Sequence, residues 1–92
     1  YSKVLFAGIV MVLPLTCIHQ NQSAVVVWLA LSPSLERRLT DLGFAPGETV
    51  VCVIKGRKNG MSAYLADHAV IALRKEDAAG IFVKPLSQDS AP

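Results

Sequence analysis

Apolar positions along the chain change their spacing several times, and each change marks a different predicted element. The stretch Ser23–Leu31 (SAVVVWLAL) is β-branched and apolar without a helical period, which predicts a buried strand. Ser32 can then cap a helix that Pro33 begins. The pattern that follows predicts a short amphipathic helix, because leucines recur at i, i+4 and i+7: Leu35, Leu39 and Leu42. We expect this row of leucines mostly to face the core.

The end of this helix is marked by glycine and proline. Gly43 falls where a helix needs a left-handed residue, and we expect Phe44 to pack back onto Leu39. Pro46-Gly47 is the residue pair that a type II turn requires. The segment therefore predicts a helix stop and a turn that aims the chain into the next strand.

The rest of the chain alternates short strands with tight turns. Asn59-Gly60 and Asp67-His68 mark reversals, and Gly80 ends about one helical turn. The remaining predicted strands are 48–55, 61–66, 69–73 and 81–84. We expect a mainly β fold, a small SH3-like β-barrel of about five strands with one inserted short α-helix, because closure hides strand edges.

The ends of the chain lie outside this pattern. The run 4–15 is apolar but shorter than the ~20 residues of a membrane-spanning helix, and Met11 fits a natural start. We therefore expect residues 1–13 to form an N-terminal extension or apolar strand, residues 14–86 the barrel domain, and residues 87–92 a flexible tail.

Two strands lack the polar outer face of a one-sided sheet. We expect Val50, Cys52 and Ile54 to point inward, together with Ser62, Tyr64 and Ala66 on the next strand. The opposite side then forms an apolar patch of Val51, Val53, Ala63 and Leu65. We expect the N-terminal extension or a second copy of the chain to cover this patch, with another protein as the alternative.

Composition restricts the functional classes. The chain has 92 residues, 52% of them hydrophobic and 17% charged, which excludes a disordered chain and gives room for one domain. The net charge of +2 is too small to indicate nucleic-acid binding. The local excess Lys55-Gly56-Arg57-Lys58 is typical of a solvated loop, and a phosphate or acidic-partner site is the less favoured interpretation.

Catalytic and metal-binding patterns are weak. No Gly-rich phosphate loop follows a strand, and no nucleophile–base set can be assembled, so we do not expect an enzyme or a cofactor. Cys17 and His19 are weak metal-ligand candidates, with Cys52 and His68 as distant partners, but the tight CxxC or HxxxH pairs of structural zinc sites are absent. Two free thiols are favoured over a disulfide framework.

The order of these elements resembles the small bacterial ferrous iron transport protein A, FeoA. The segments LERRLTDLGFAPGETVVCVI and VIALRKEDAAGIFV carry the resemblance, which covers roughly residues 11–85. Leu42-Gly43-Phe44 is followed by Pro46-Gly47 and a strand, and later by Leu73-Arg74 and the Ile81-Phe82-Val83 strand. The hairpin Arg57–Met61 departs from the family's Pro-Leu-Gly-x-Pro, and His68 stands where a glycine is common.

The resemblance implies an SH3-like barrel and a cytosolic, non-enzymatic accessory role in ferrous iron uptake. Its implied partner is FeoB, the membrane permease with a G-protein domain, so we expect a cytoplasmic protein, peripheral to the inner face of the membrane and not inserted in it. Candidate docking residues lie on the polar, solvent-facing side of the helix and in the turn after it: Arg37, Arg38, Asp41, Phe44, Pro46 and Gly47. Alternatives are the SH3-like regulatory module of a metal-dependent repressor and a small metal-binding protein.

Overall fold

The fold is a six-stranded antiparallel sheet with two short helices. The computed structural model describes residues 11–58 and 60–86, so the predicted extension 1–10, Asn59 and the tail 87–92 lie outside the described residues. The strands are β1 (Leu13–Pro14), β2 (Ser23–Leu29), β3 (Thr49–Ile54), β4 (Ser62–Ala66), β5 (Ala69–Leu73) and β6 (Ile81–Pro85). The helices are α1 (Pro33–Leu39), which continues into the segment Thr40–Phe44 with a kink at Gly43, and α2 (Lys75–Ala78); a 3-10 turn spans Leu15–Cys17.

Strands that follow one another in sequence pair into a meander, and the last strand returns to the start. The hydrogen-bonded order is β1-β6-β2-β3-β4-β5, and every pairing is antiparallel. The prediction of a mainly β fold with one short inserted helix between the first two long strands is confirmed. Within the described residues the sheet is open, with β1 and β5 at its two edges. The short β1 overlaps the predicted extension or apolar strand 1–13 only at Leu13.

The core lies against one face of this sheet. It is entirely apolar apart from the Tyr64 hydroxyl, and its largest side chains are fully buried: Tyr64, Phe44, Leu15, Ile18 and Ile81. Phe44 and Tyr64 meet edge to face, with ring centroids 6.5 Å apart and planes at 81°, a geometry that favours aromatic pairs beyond the area they bury. These two rings join the end of the α1 segment to the middle of the sheet.

Two irregularities in strand register change which side chains face solvent, compared with the prediction. The pairing of β3 with β4 shifts between Cys52 and Ile54, so Cys52 is buried while Ile54 is 59% exposed. The prediction that Ile54 points inward is therefore wrong, because a bulge adds one residue to the strand and inverts the alternation beyond it. A second shift, between Val26 and Trp28 on β2, leaves Trp28 49% exposed in a stretch predicted to be buried.

Candidate interaction surface

The side of α1 opposite the leucines is exposed to solvent, as the spacing of the leucines predicted. Pro33 is the first helical residue, and Ser32 is the N-cap residue, although its side chain makes no capping hydrogen bond. Arg37, Arg38 and Asp41 are exposed, and a shallow depression beside them is lined by Pro33, Glu36, Arg37, Thr40 and Asp41. Within the described part of the chain neither guanidinium takes part in an ion pair. Both therefore remain available to a partner.

The three leucines on the other side of this helix do not all face the core. Leu39 is 2% exposed and Leu35 packs against the core, whereas Leu42 is 40% exposed. The prediction that Leu42 faces the core is wrong: Leu42 lies directly before Gly43, where φ 114° breaks the helical geometry and the chain turns away from the helix axis. An apolar side chain consequently stands beside the charged side of α1.

Gly43 and Phe44 turn the chain from the helix into the core. Gly43 has φ 114° and ψ 6°, in the left-handed region predicted for the helix end. Phe44 is 0% exposed, so its prediction as a docking residue needs correction: Gly43 directs the ring against Tyr64, away from solvent. The exposed apolar side chain at this corner is Leu42 instead.

The turn after Phe44 has the predicted form. The Glu48 N–H donates to the carbonyl of Ala45 at 3.0 Å, and Gly47 has φ 93°, as the third residue of a type II turn should. The turn is fastened to β2, because the Gly47 N–H donates to the Val26 carbonyl at 2.7 Å. Pro46 and Gly47 are exposed, so α1 and this turn form one continuous surface, here called the α1 edge: Arg37, Arg38, Asp41, Leu42, Pro46 and Gly47.

A second exposed surface lies on the outer face of the sheet, opposite the core. Val51 is opposite Leu65, and Leu65 is opposite Val70, so these three side chains form a row across β3, β4 and β5. Leu65 is 38% and Val70 60% exposed, while Val51, Val53 and Ala63 are half-buried. Val70 was missed in the sequence, although the absence of polar residues from Ala69 to Leu73 was a usable signal. What covers this row stays a prediction, because residues 1–10 lie outside the described part.

An exposed aromatic pair was also missed. Trp28 on β2 and Phe82 on β6 are opposite one another in the register and stack, with ring centroids 4.5 Å apart and planes at 8°. Trp28 points outward only because of the β2 bulge. No pattern in SAVVVWLAL indicates that bulge.

The weak metal-ligand candidates are dispersed. Cys17 and His19 are exposed, Cys52 is buried, and His68 is 98% exposed beside Asp67. Burial raises the pKa of the Cys52 thiol, an effect that Lys55 partly offsets, and a protonated thiol is a poor metal ligand. Among the described residues, no three His, Cys, Asp or Glu side chains are placed to hold a metal ion together.

Comparison with known proteins identifies the family. The FeoA domain profile matches residues 13–85, most of the chain. The chain therefore belongs to the FeoA family, small accessory domains of ferrous iron transport that are not known as an enzyme family. Comparison with curated protein sequences finds no significant match. In the described residues, no helix is long and apolar enough to cross a bilayer.

Solved structures share the fold. A crystal structure of the iron uptake regulatory protein FeoA superposes with TM-score 0.75 at 22% identity, covering 83% of this chain and 100% of that one. The zinc complex of Stenotrophomonas maltophilia FeoA, described as a procaryotic SH3 domain protein, gives TM-score 0.67 at 29% identity and covers 80% and 89%. A manganese-dependent transcriptional repressor gives TM-score 0.75 at 18% identity, with 85% of this chain matching 44% of the repressor. The predicted SH3-like fold is thus confirmed.

Proposed function

We propose that the chain is a non-enzymatic accessory protein of ferrous iron uptake that docks through the α1 edge on the cytosolic side of a FeoB-type GTPase permease. The FeoA domain match over residues 13–85 is the observation that carries this proposal. Such a role places the protein in the cytoplasm, peripheral to the inner face of the membrane. This role requires an exposed surface that a partner protein can recognise, and it requires no catalytic residues.

The α1 edge has the properties of such a surface. Arg37 and Arg38 are exposed and have no ion-pair partner among the described residues, so binding an acidic patch costs no existing salt bridge. Leu42 adds an apolar contact that is 40% exposed, and arginine beside an apolar centre is typical of interface composition. The hydrogen bond between Gly47 and Val26 holds the turn in place before a partner arrives, which reduces the entropy lost on binding.

Charge reversal tests the α1 edge. We expect Arg37→Glu/Arg38→Glu to weaken binding to the permease's cytosolic region roughly tenfold or more, because both attraction and steering are inverted. Arg57→Glu/Lys58→Glu on the β3–β4 hairpin is the matched control, since it changes the net charge equally at another exposed site. Biolayer interferometry at fixed ionic strength measures both. Equal loss in the two variants, or no loss in the first, would refute docking through α1.

A second candidate function has one observation in its favour. The likeness to the manganese-dependent repressor is consistent with an SH3-like regulatory module in a larger protein. A reading frame that places a winged-helix DNA-binding domain ahead of Tyr1 would favour this alternative. An immunoblot of the source cells distinguishes the two, because a repressor in which this domain makes up less than half of the chain runs at roughly twice the mass of a single domain.

A further inference from the structure

A pocket of about 220 Å³ opens on the side of the molecule near the β3–β4 hairpin. Five parts of the chain build it: the 3-10 turn at Thr16, the hairpin segment that begins at Lys55, the start of β4, the end of β5, and α2. It is lined by cationic side chains, by hydroxyl groups and by a few apolar atoms. The cationic side chains are those of Lys55, Arg57, Lys58 and Lys75, and the hydroxyl groups include those of Ser62 and Tyr64.

Positive charge is concentrated at this pocket. The chain has 9 lysines and arginines against 7 acidic residues, and four of the nine cations line this one pocket. None of the described residues that line it is an aspartate or glutamate. Three of the cations come from the run Lys55–Lys58, and Lys75 is brought to them from α2 by the fold. Like charges held together repel, so an anion between them relieves an unfavourable energy.

The pocket has a fixed polar wall. Lys55 Nζ donates to the carbonyls of Thr16 at 2.5 Å and Ile18 at 2.8 Å, which ties the hairpin base to the 3-10 turn. Ser62 Oγ accepts the Gly56 N–H at 2.9 Å. These bonds orient the groups around the pocket before any ligand binds, which lowers the entropy cost of binding.

The Tyr64 hydroxyl lies in the same wall. The residue is 1% exposed and lines the pocket together with Ser62. Burial raises the pKa of Tyr64, an effect that hydrogen bonding by the Ser62 side chain partly offsets. The phenol therefore keeps its proton, and it and Ser62 supply hydroxyl groups of the kind that bind anion oxygens.

We propose that this pocket binds a small phosphate group, as inorganic phosphate, diphosphate or a phosphate monoester. Several cations around hydroxyl donors suit an anion with three or more acceptor oxygens better than a planar carboxylate. The volume is below the ~300–1,000 Å³ of pockets that enclose drug-sized ligands, so it fits a phosphate group and excludes most of a larger molecule. The proposal does not depend on docking through the α1 edge, which lies on other elements.

NMR titration of the full chain tests the proposal. We expect saturable amide shifts at Gly56, Gly60 and Lys75 with inorganic phosphate, and stronger binding of diphosphate. Glycerol 3-phosphate distinguishes a monoester site from one that takes only the free ions. Sodium chloride at the same ionic strength controls for screening, which acts on exposed charges without saturating. Shifts that chloride reproduces, or that fail to saturate, overturn the proposal.

Charge-neutralising variants locate the site. We expect Lys75→Gln, and separately Arg57→Gln/Lys58→Gln, to weaken phosphate binding about threefold to tenfold, the range for partly exposed charge-assisted contacts. Arg37→Gln/Arg38→Gln removes two charges away from the pocket and should leave the affinity within about twofold. The positions are exposed, and an unchanged amide spectrum elsewhere verifies folding. Equal weakening by the α1 variant would assign the effect to net charge and contradict the pocket.

Discussion

Gly43 offers a quantitative test of how α1 joins the sheet. Its φ of 114° lies where L-residues are strained, and such a conformation costs on the order of 1–3 kcal/mol for a residue with a Cβ. A Cβ added to Gly43 would also lie 2.9 Å from the Cβ of Asp67 and 3.0 Å from the carbonyl carbon of Ala66. Backbone of the β4–β5 turn must move to relieve that contact.

Gly47 supplies the matched control. Its φ is 93°, but a Cβ built there meets nothing within 4 Å. Gly47→Ala therefore introduces backbone strain alone, whereas Gly43→Ala introduces strain and a clash. We expect Gly47→Ala to cost about 1–2 kcal/mol, and Gly43→Ala about 1–2 kcal/mol more, as for other overpacked sites.

Urea unfolding followed by far-ultraviolet circular dichroism measures both free energies. A chain of this length is expected to have about 5–14 kcal/mol of stability, so each variant still folds while its midpoint moves clearly. Each 1 kcal/mol corresponds to roughly 4–8 °C in Tm. Equal losses for the two variants, or a larger loss for Gly47→Ala, would refute the close packing of Gly43 on the β4–β5 turn.

Two further predictions concern the core. Phe44→Ala should lower the free energy of unfolding by about 3–5 kcal/mol, because the ring is fully buried, whereas Leu42→Ala should cost under about 1 kcal/mol; similar losses in urea unfolding would contradict the assignment of Phe44 to the core. Burial raises the pKa of Cys52 and Tyr64 above the ordinary values of 9.0 and 10.0, so the folded state holds protons that the unfolded state releases. The free energy of unfolding should therefore keep its full value below about pH 9 and fall as the pH rises through the raised pKa values. Between about pH 8 and about pH 11, the urea midpoint should fall less for Tyr64→Phe than for the wild type. Parallel curves for the two proteins would contradict this.

Local signals in the sequence predicted most of the fold. At three places the residue type strongly favours one backbone conformation, and the structure adopts it: Pro33 at the helix start, Gly43 at its end, and the Pro46-Gly47 turn. The reversal at Asp67-His68 is made without glycine, since Asp67 takes φ 58°, a region that aspartate tolerates better than most residues. Short-range chemistry suffices for such positions.

The exposed surfaces could not be predicted in the same way. Bulges in β2 and β3 decide that Trp28 and Ile54 face solvent, and they arise from how strands pair across the sheet. Leu42 is exposed at the end of the helix, where the chain breaks at Gly43 and Phe44 enters the core. Lys75 meets the basic hairpin only because β4, β5 and α2 fold back on it. Each of these depends on long-range contacts.

Hydrogen–deuterium exchange of the full chain, with and without the cytosolic G-protein domain of the permease, tests docking through the α1 edge most directly. The account predicts slower exchange in the partner's presence from Pro33 to Gly47, with the β4–β5 region unchanged. Binding that protects only the hairpin or the outer face of the sheet, and leaves α1 unprotected, would contradict it.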